Sequence, residues 1–435
     1  MTTQPDEPYY VMYDEDFGLS GLAGRSGAAP PPPLPLPEGG MEGDEQVGED
    51  ARRLLESSLP DDMIRTLWLA ADRERFDPVA RGATVRSWLH GWSQAYPARP
   101  PKRPKTFVKY RSTMSAEPRR PVLVEEEMRD AVLAEIGGVE ADVARAVPLP
   151  DVVPVLRRAV VEAGADLGFR LLLRILKAHS VRVDKARYGR FIELSEPFEY
   201  CFAVVHDDLE VDWPPVDPAR RDADWDFGLS ELAGRFAHWY DGTADERLRD
   251  AVAADDVRQS PGSAAAVLLE DVTRLLASPL SDDTLTTLWL AACDCGLRPD
   301  RLGIDVRRWL EQIAEVCRER LREISPAYRP GPAQVRADLA DEVLRELQDL
   351  EAELASRTIQ PHGQGIPGAA AARALEQVVA QVDPDLGFRL FLRVLLALWM
   401  PLTEEQYARY QALGERFGYG EFHVSLVDQF IQSDL

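Results

Sequence analysis

Cysteine is scarce in this chain. Cys201, Cys293, Cys295 and Cys317 are four in 435 residues, too few and too irregularly spaced for a disulfide framework. Lysine is almost as scarce, supplying five of the 50 basic residues. Positive charge itself is in deficit, since 50 Lys and Arg face 74 Asp and Glu, for a net charge of -24. Such a surface repels nucleic acid and anionic lipid and favours encounter with basic partners. A membrane-spanning apolar run is also missing. The most apolar stretch, Leu386 to Leu402, carries Arg389 and Arg393 and is too short to cross a bilayer. The first residues, Asp6-Glu7-Pro8-Tyr9-Tyr10, put no basic segment ahead of an apolar one, so a signal peptide is not expected. The chain therefore reads as a reduced, cytoplasmic protein. Catalytic signatures are lacking as well: there is no H-E-x-x-H, G-x-S-x-G, P-loop or strand-following G-x-G-x-x-G. The six histidines fall in no metal or triad pattern. No catalysis, metal or cofactor is expected.

What is present is a pattern written twice. Leu54 to Leu89 returns 221 positions later as Leu275 to Leu310, with 18 of 36 positions identical. Asp166-Leu167-Gly168-Phe169-Arg170 recurs as Asp385-Leu386-Gly387-Phe388-Arg389, and Asp16-Phe17-Gly18-Leu19-Ser20 as Asp226-Phe227-Gly228-Leu229-Ser230. Apolar spacing of three and four residues, as at Leu229, Leu232, Ala233 and Phe236, is that of amphipathic helices. The expected fold is mainly α, a tandem duplication of a two-part helical unit. The expected organisation is a flexible start (1–15), then a helical sub-unit with a Pro-rich insertion (16–97). A basic Pro-rich linker (98–122), a second helical sub-unit (123–208) and an acidic linker (209–223) follow. The second copy comprises helical sub-units 224–325 and 333–435. Cys201 to Val205 is read as a short strand, and Glu125 to Ile136 as a helix.

Four features carry candidate chemistry. Arg170/Arg174 and Arg389/Arg393 are four apart and share a helix face, as an anion clamp or as partners of neighbouring acids. Cys293-Asp294-Cys295 has the wrong spacing for zinc and reads as idle thiols. The basic linker, with Phe107 and Tyr110 among its arginines and lysines, suits nucleic acid less well than the protein's own acidic faces. The acidic clusters Asp207-Asp208-Leu209-Glu210-Val211-Asp212-Trp213 and Asp222-Ala223-Asp224-Trp225-Asp226 combine steering carboxylates with tryptophan anchors.

The segment Leu229 to Trp239, with Leu275 to Asp283, Leu288-Trp289-Leu290 and Val306-Arg307-Arg308-Trp309-Leu310, resembles the contact-dependent growth inhibition immunity proteins, the CdiI-like family. The resemblance is best over 226–321 and covers the first half of each repeat. That family's first helix ends in an aromatic-aromatic-His-Gln-Asp-Trp-like motif. Phe236-Ala237-His238-Trp239-Tyr240-Asp241 keeps the histidine and shifts the rest, and copy one, with Arg25-Ser26-Gly27, lacks it. The resemblance implies a non-catalytic protein that binds and neutralises a cognate toxin domain. With the acidic charge, the expected partner is a basic protein, a nuclease toxin being one such, with no membrane and no nucleic acid. The expected contact residues are Asp207, Asp208, Glu210, Trp213, Asp222, Asp224, Trp225, His238 and Trp239. The rival readings are a bivalent helical scaffold or adaptor for protein partners, and a hydrolase or transferase using acids and His238.

Overall fold

Wherever apolar residues recur every three or four positions, the chain is helical. The computed structural model describes residues 15–25, 45–96, 124–198, 200–237, 242–257, 259–329, 331, 335–360, 365–420 and 422–432. The Pro-rich insertion, the basic linker, His238 and Trp239 lie outside them. The chain divides into two compact units that meet in sequence between Asp212 and Trp213.

Unit 1 contains α1 (Gly18–Gly24), α2 (Glu45–Glu56), α3 (Asp61–Asp72), α4 (Val85–Ala95), α5 (Glu125–Ala146), α6 (Val152–Ala163) and α7 (Ala165–Ala178). It closes with strand β1 (Val183–Asp184), α8 (Lys185–Ser195), α9 (Phe202–His206) and strand β2 (Val211–Asp212). The two strands pair in parallel, Val183 with Val211. The segment read as a strand at Cys201 to Val205 is instead helix α9. Val204 and Val205 favour β locally, but both are buried as one turn of helix, and Val204 O accepts from Lys177 Nζ at 2.9 Å. Helix α5 runs past Ile136 to Ala146, through Gly137 and Gly138, because Arg187 lies against Gly138 and donates to its carbonyl. A β-carbon at Gly138 would sit 2.5 Å from Arg187 Nη2.

Unit 2 contains α10 (Gly228–Ala237), α11 (Ala244–Ala253), α12 (Ser263–Ala277), α13 (Asp282–Ala292) and α14 (Val306–Ile324). There follow α15 (Ala340–Asp349), α16 (Glu351–Ala355), strands β3 (Thr358–Ile359) and β4 (Ile366–Pro367), α17 (Gly368–Gln381), α18 (Pro384–Ala397) and α19 (Glu404–Phe417). β3 and β4 pair antiparallel. Helix α13 starts as its sequence dictates: Ser281 Oγ accepts from Thr284 N, and Asp282 and Asp283 face the positive end of the helix dipole. Helix α11 opens on a capping box between Thr243 and Glu246.

The Leu-Trp-Leu-Ala-Ala blocks are core. Trp68 packs on Trp88 at 4.5 Å between ring centres, and Trp289 on Trp309 at 5.7 Å. Trp68 Nε1 donates to Phe76 O and Trp289 Nε1 to Leu297 O, so each indole closes the loop that follows its helix. In unit 2 one continuous apolar core runs from Leu229 on α10 to Tyr410 on α19. Its axis is α18, buried nearly all round, and α7 plays the same part in unit 1. Gly168 and Gly387 make this possible. A β-carbon there would lie 2.3 Å from Val160 Cγ2 or 2.4 Å from Val379 Cγ2, so glycine lets α7 and α18 lie close against α6 and α17.

Candidate functional site

Three sequence blocks that are far apart in each unit converge on one buried ion pair. In unit 1, Arg170 on α7 grips Asp50 on α2 with two hydrogen bonds of 2.7 Å, and neither side chain is exposed. Its Nη2 also reaches Asp166 Oδ2 at 3.0 Å, and the guanidinium lies 4.6 Å above the Phe17 ring. Gly18, at φ +63°, lets the start of α1 pass so closely that Leu19 N donates to Asp50 Oδ2 at 2.9 Å.

In unit 2, Arg389 on α18 grips Asp271 on α12 at 2.9 and 2.7 Å, reaches Asp385 at 3.1 Å and lies 4.6 Å over Phe227. Gly228 takes φ +66°, and Leu229 N donates to Asp271 Oδ2 at 2.8 Å. Tyr200 and Tyr419 donate their hydroxyls to Asp166 and Asp385. Burial acts against charge on both arginines, yet the facing carboxylates hold them more firmly protonated than usual. Arg170 and Arg389 are therefore claimed by internal acids and do not clamp an outside anion. Asp50 and Asp271, which the sequence reading did not single out, are the acids that matter most.

Asp166 gives the hub a pH signature. Burial raises its carboxyl, but Arg170, Tyr200 and Arg53 outweigh burial and bring it down to about 2 from 3.8. A depressed carboxyl stabilises the fold above its unfolded pKa, and the contribution disappears as pH falls through the folded value. Unit 1 should lose about 2 kcal/mol between pH 4 and pH 2 from this group. Acid titration of Asp166→Asn against the unsubstituted chain measures it. Parallel stability profiles below pH 4 would count against the assignment.

The cysteines are quiet. Burial pushes the Cys293 thiol up to about 12, and it raises Cys295 and Cys317 as well. Cys293 and Asp294 do not continue α13: Cys293 caps it, and Asp294 and Cys295 take left-handed backbone at φ +49° and +58°. Among the described residues no three His, Cys, Asp or Glu side chains form a group that could hold a metal ion. Nor is any helix among them long and apolar enough to cross a membrane.

The expected contact residues fall on both units. On unit 1, Asp207 ends α9 and is exposed, as is Asp208, whose backbone is left-handed at φ +60°. Glu210 and its neighbour Asp212 pair with Arg182 at 3.1 and 3.3 Å. On unit 2, Trp213 is half-buried. Asp222 is held by Arg220 and Gln259; burial raises its carboxyl, but these partners leave it below the usual range. Asp224 N donates to Asp256, and Asp224 O accepts from Phe422 N. Trp225 is 60% exposed and stacks on Phe422 at 5.0 Å, so its ring is both offered to solvent and fixed. Next to this segment in sequence, α11 and α14 show charged outer faces. Arg249 ties Asp245 on α11 to Glu319 on α14, at 2.9 and 3.3 Å, while Glu246, Asp250 and Glu323 are exposed.

Residues 237–317, from the end of α10 into α14, match the family model described as CdiI immunity protein. No curated protein and no solved structure matches the chain.

Proposed function

We propose that the chain is a non-catalytic immunity-type protein that binds and neutralises a cognate toxin domain through unit 2. The observation that carries this reading is the match of residues 237–317, which take in α11, α12, α13 and the first two thirds of α14. The net charge of -24 supports a basic toxin, and a nuclease domain has that character. In this reading Trp225 is an anchor that needs no ordering on binding, because Phe422 already holds it. Asp222 and Asp224 form its rim, and His238 and Trp239 stand at the start of the matched segment. Asp207, Asp208, Glu210 and Trp213 add to the steering field. The work is done in the cytoplasm of the producing cell.

The test is growth rescue by the full chain of a strain expressing a candidate toxin domain from the same genome, followed by binding kinetics on the purified pair. Trp225→Ala should weaken binding by about 2 kcal/mol, near thirtyfold, mostly in the off-rate. Turning Asp207, Asp208, Asp222 and Asp224 into amides should slow association roughly tenfold and flatten its dependence on salt. Rescue without direct binding, or association indifferent to both charge and salt, would sink the proposal. Both units are built round the same hub, which favours a bivalent scaffold or adaptor for protein partners as the second reading. Two partner proteins bound per chain would select it, and one partner bound by unit 2 alone would select immunity.

A further inference from the structure

The hub accounts for one arginine of each pair; the second arginines, Arg174 and Arg393, behave differently. Both lie one turn beyond the hub, and both pack on a glycine of the unit's first helix. Arg174 Nη1 lies 3.2 Å from a β-carbon built at Gly24, and Arg393 Cζ lies 2.8 Å from one built at Gly234. In unit 1 the charge is answered. Arg174 Nη1 faces Asp16 Oδ2 at 3.5 Å, and its Nε donates to Ala71 O at 3.3 Å. Asp72, fully buried at the end of α3, also feels the Arg174 charge.

In unit 2 each of these answers has gone. The residue at the place of Asp72 is Cys293, a buried thiol that stays neutral. Asp226, at the place of Asp16, is turned onto Ser230 Oγ at 2.5 Å and Phe227 N at 2.9 Å. Arg393 is 8% exposed, its Nε has no hydrogen-bond partner, and among the described residues no carboxylate bridges to it. The guanidinium's planar fork of donors matches an oxyanion, a carboxylate best of all.

We infer that Arg393 is the cationic floor of a carboxylate-binding site on unit 2, one that takes from outside the negative charge that unit 1 supplies internally. The carboxylate comes either from a small free acid or from an acidic side chain or chain end of a docked polypeptide. The inference does not depend on the partner being a toxin, since it concerns what this arginine lacks. It adds a cation-led contact to an otherwise acidic protein, and so a position at which a partner's own acid would be welcomed.

The experiment compares thermal unfolding of the full chain in acetate and in chloride at equal ionic strength and pH 7. Acetate should raise the midpoint by roughly 2–4 °C in a saturable way. Arg393→Met, which keeps the stem and removes the charge, should abolish the rise and melt no lower in chloride. Cys293→Asp, which restores the acid of unit 1, should abolish it as well. Arg174→Met, whose partners are internal, should lower the midpoint and leave the acetate response in place. On the unsubstituted chain the Arg393 Nε–H resonance should move as acetate is added, a readout that needs no variant. Titrating a capped glutamate-containing hexapeptide beside acetate identifies the source by which of the two saturates at lower concentration. An equal midpoint in acetate and chloride, or a full acetate response in Arg393→Met, would overturn the inference.

Discussion

Arg389→Met should cost about 3–5 kcal/mol of folding free energy, because it leaves Asp271 buried without its cation. The loss is not that of one hydrogen bond. Asp271 keeps only the amide of Leu229, Phe227 loses the guanidinium stacked on its ring, and Asp385 keeps Arg221 and Tyr419. Urea unfolding followed by tryptophan fluorescence measures this, since Trp289 and Trp309 sit in the same core. Removing both charges, as Arg389→Met with Asp271→Leu, should recover most of the loss, because a buried ion pair exchanged for apolar groups of similar volume is often neutral. A single variant within about 1 kcal/mol of the unsubstituted chain would mean that the hub is not what holds α10, α12 and α18 together.

Gly228→Ala should be nearly as damaging, at about 3 kcal/mol, for two additive reasons. The backbone is left-handed at φ +66°, and the new β-carbon would meet Asp271 Oδ2 at 2.3 Å and Arg389 Nη1 at 2.9 Å. Gly303→Ala separates the two effects. Gly303 is also left-handed, at φ +75°, but nothing lies within 4 Å of its β-carbon, so only the backbone cost of about 1 kcal/mol remains. Equal losses at the two positions would show that close approach to the ion pair contributes nothing.

The helical class of the fold is legible in the sequence because period-3.6 patterning is strong wherever a helix faces the core, as at Leu229, Leu232, Ala233 and Phe236. Helix starts are legible where side chains cap them, as at Ser281. Tertiary demands are not. Gly137-Gly138 looks like a stop until Arg187 is seen lying on it, and Val204-Val205 looks like a strand until their burial is seen. The hub's arginines stand out by repetition, but their partner acids do not. Asp50 and Asp271 lie four residues before the stretch of strongest identity, although they share its offset of 221. No local pattern links an arginine to a carboxylate 120 or 118 residues away. Of the acidic and aromatic contact residues, exposure and prior pairing were invisible: Glu210 and Asp222 are engaged by Arg182 and Arg220, while Trp225 is held out to solvent.

The order of the hub along the chain bears on how unit 2 is made. Asp271 leaves the ribosome with α12, but Arg389, its counterion, is not translated until 118 residues later. Throughout that interval Asp271 lacks the cation that offsets its burial, so the packing of α10 and α12 is less stable than in the finished unit. A fragment cut to residues 237–317 carries Asp271 without Arg389 and inherits the same defect. The ion pair that ties α12 to α18 can therefore close only after α18 has been made, with α19 still to follow.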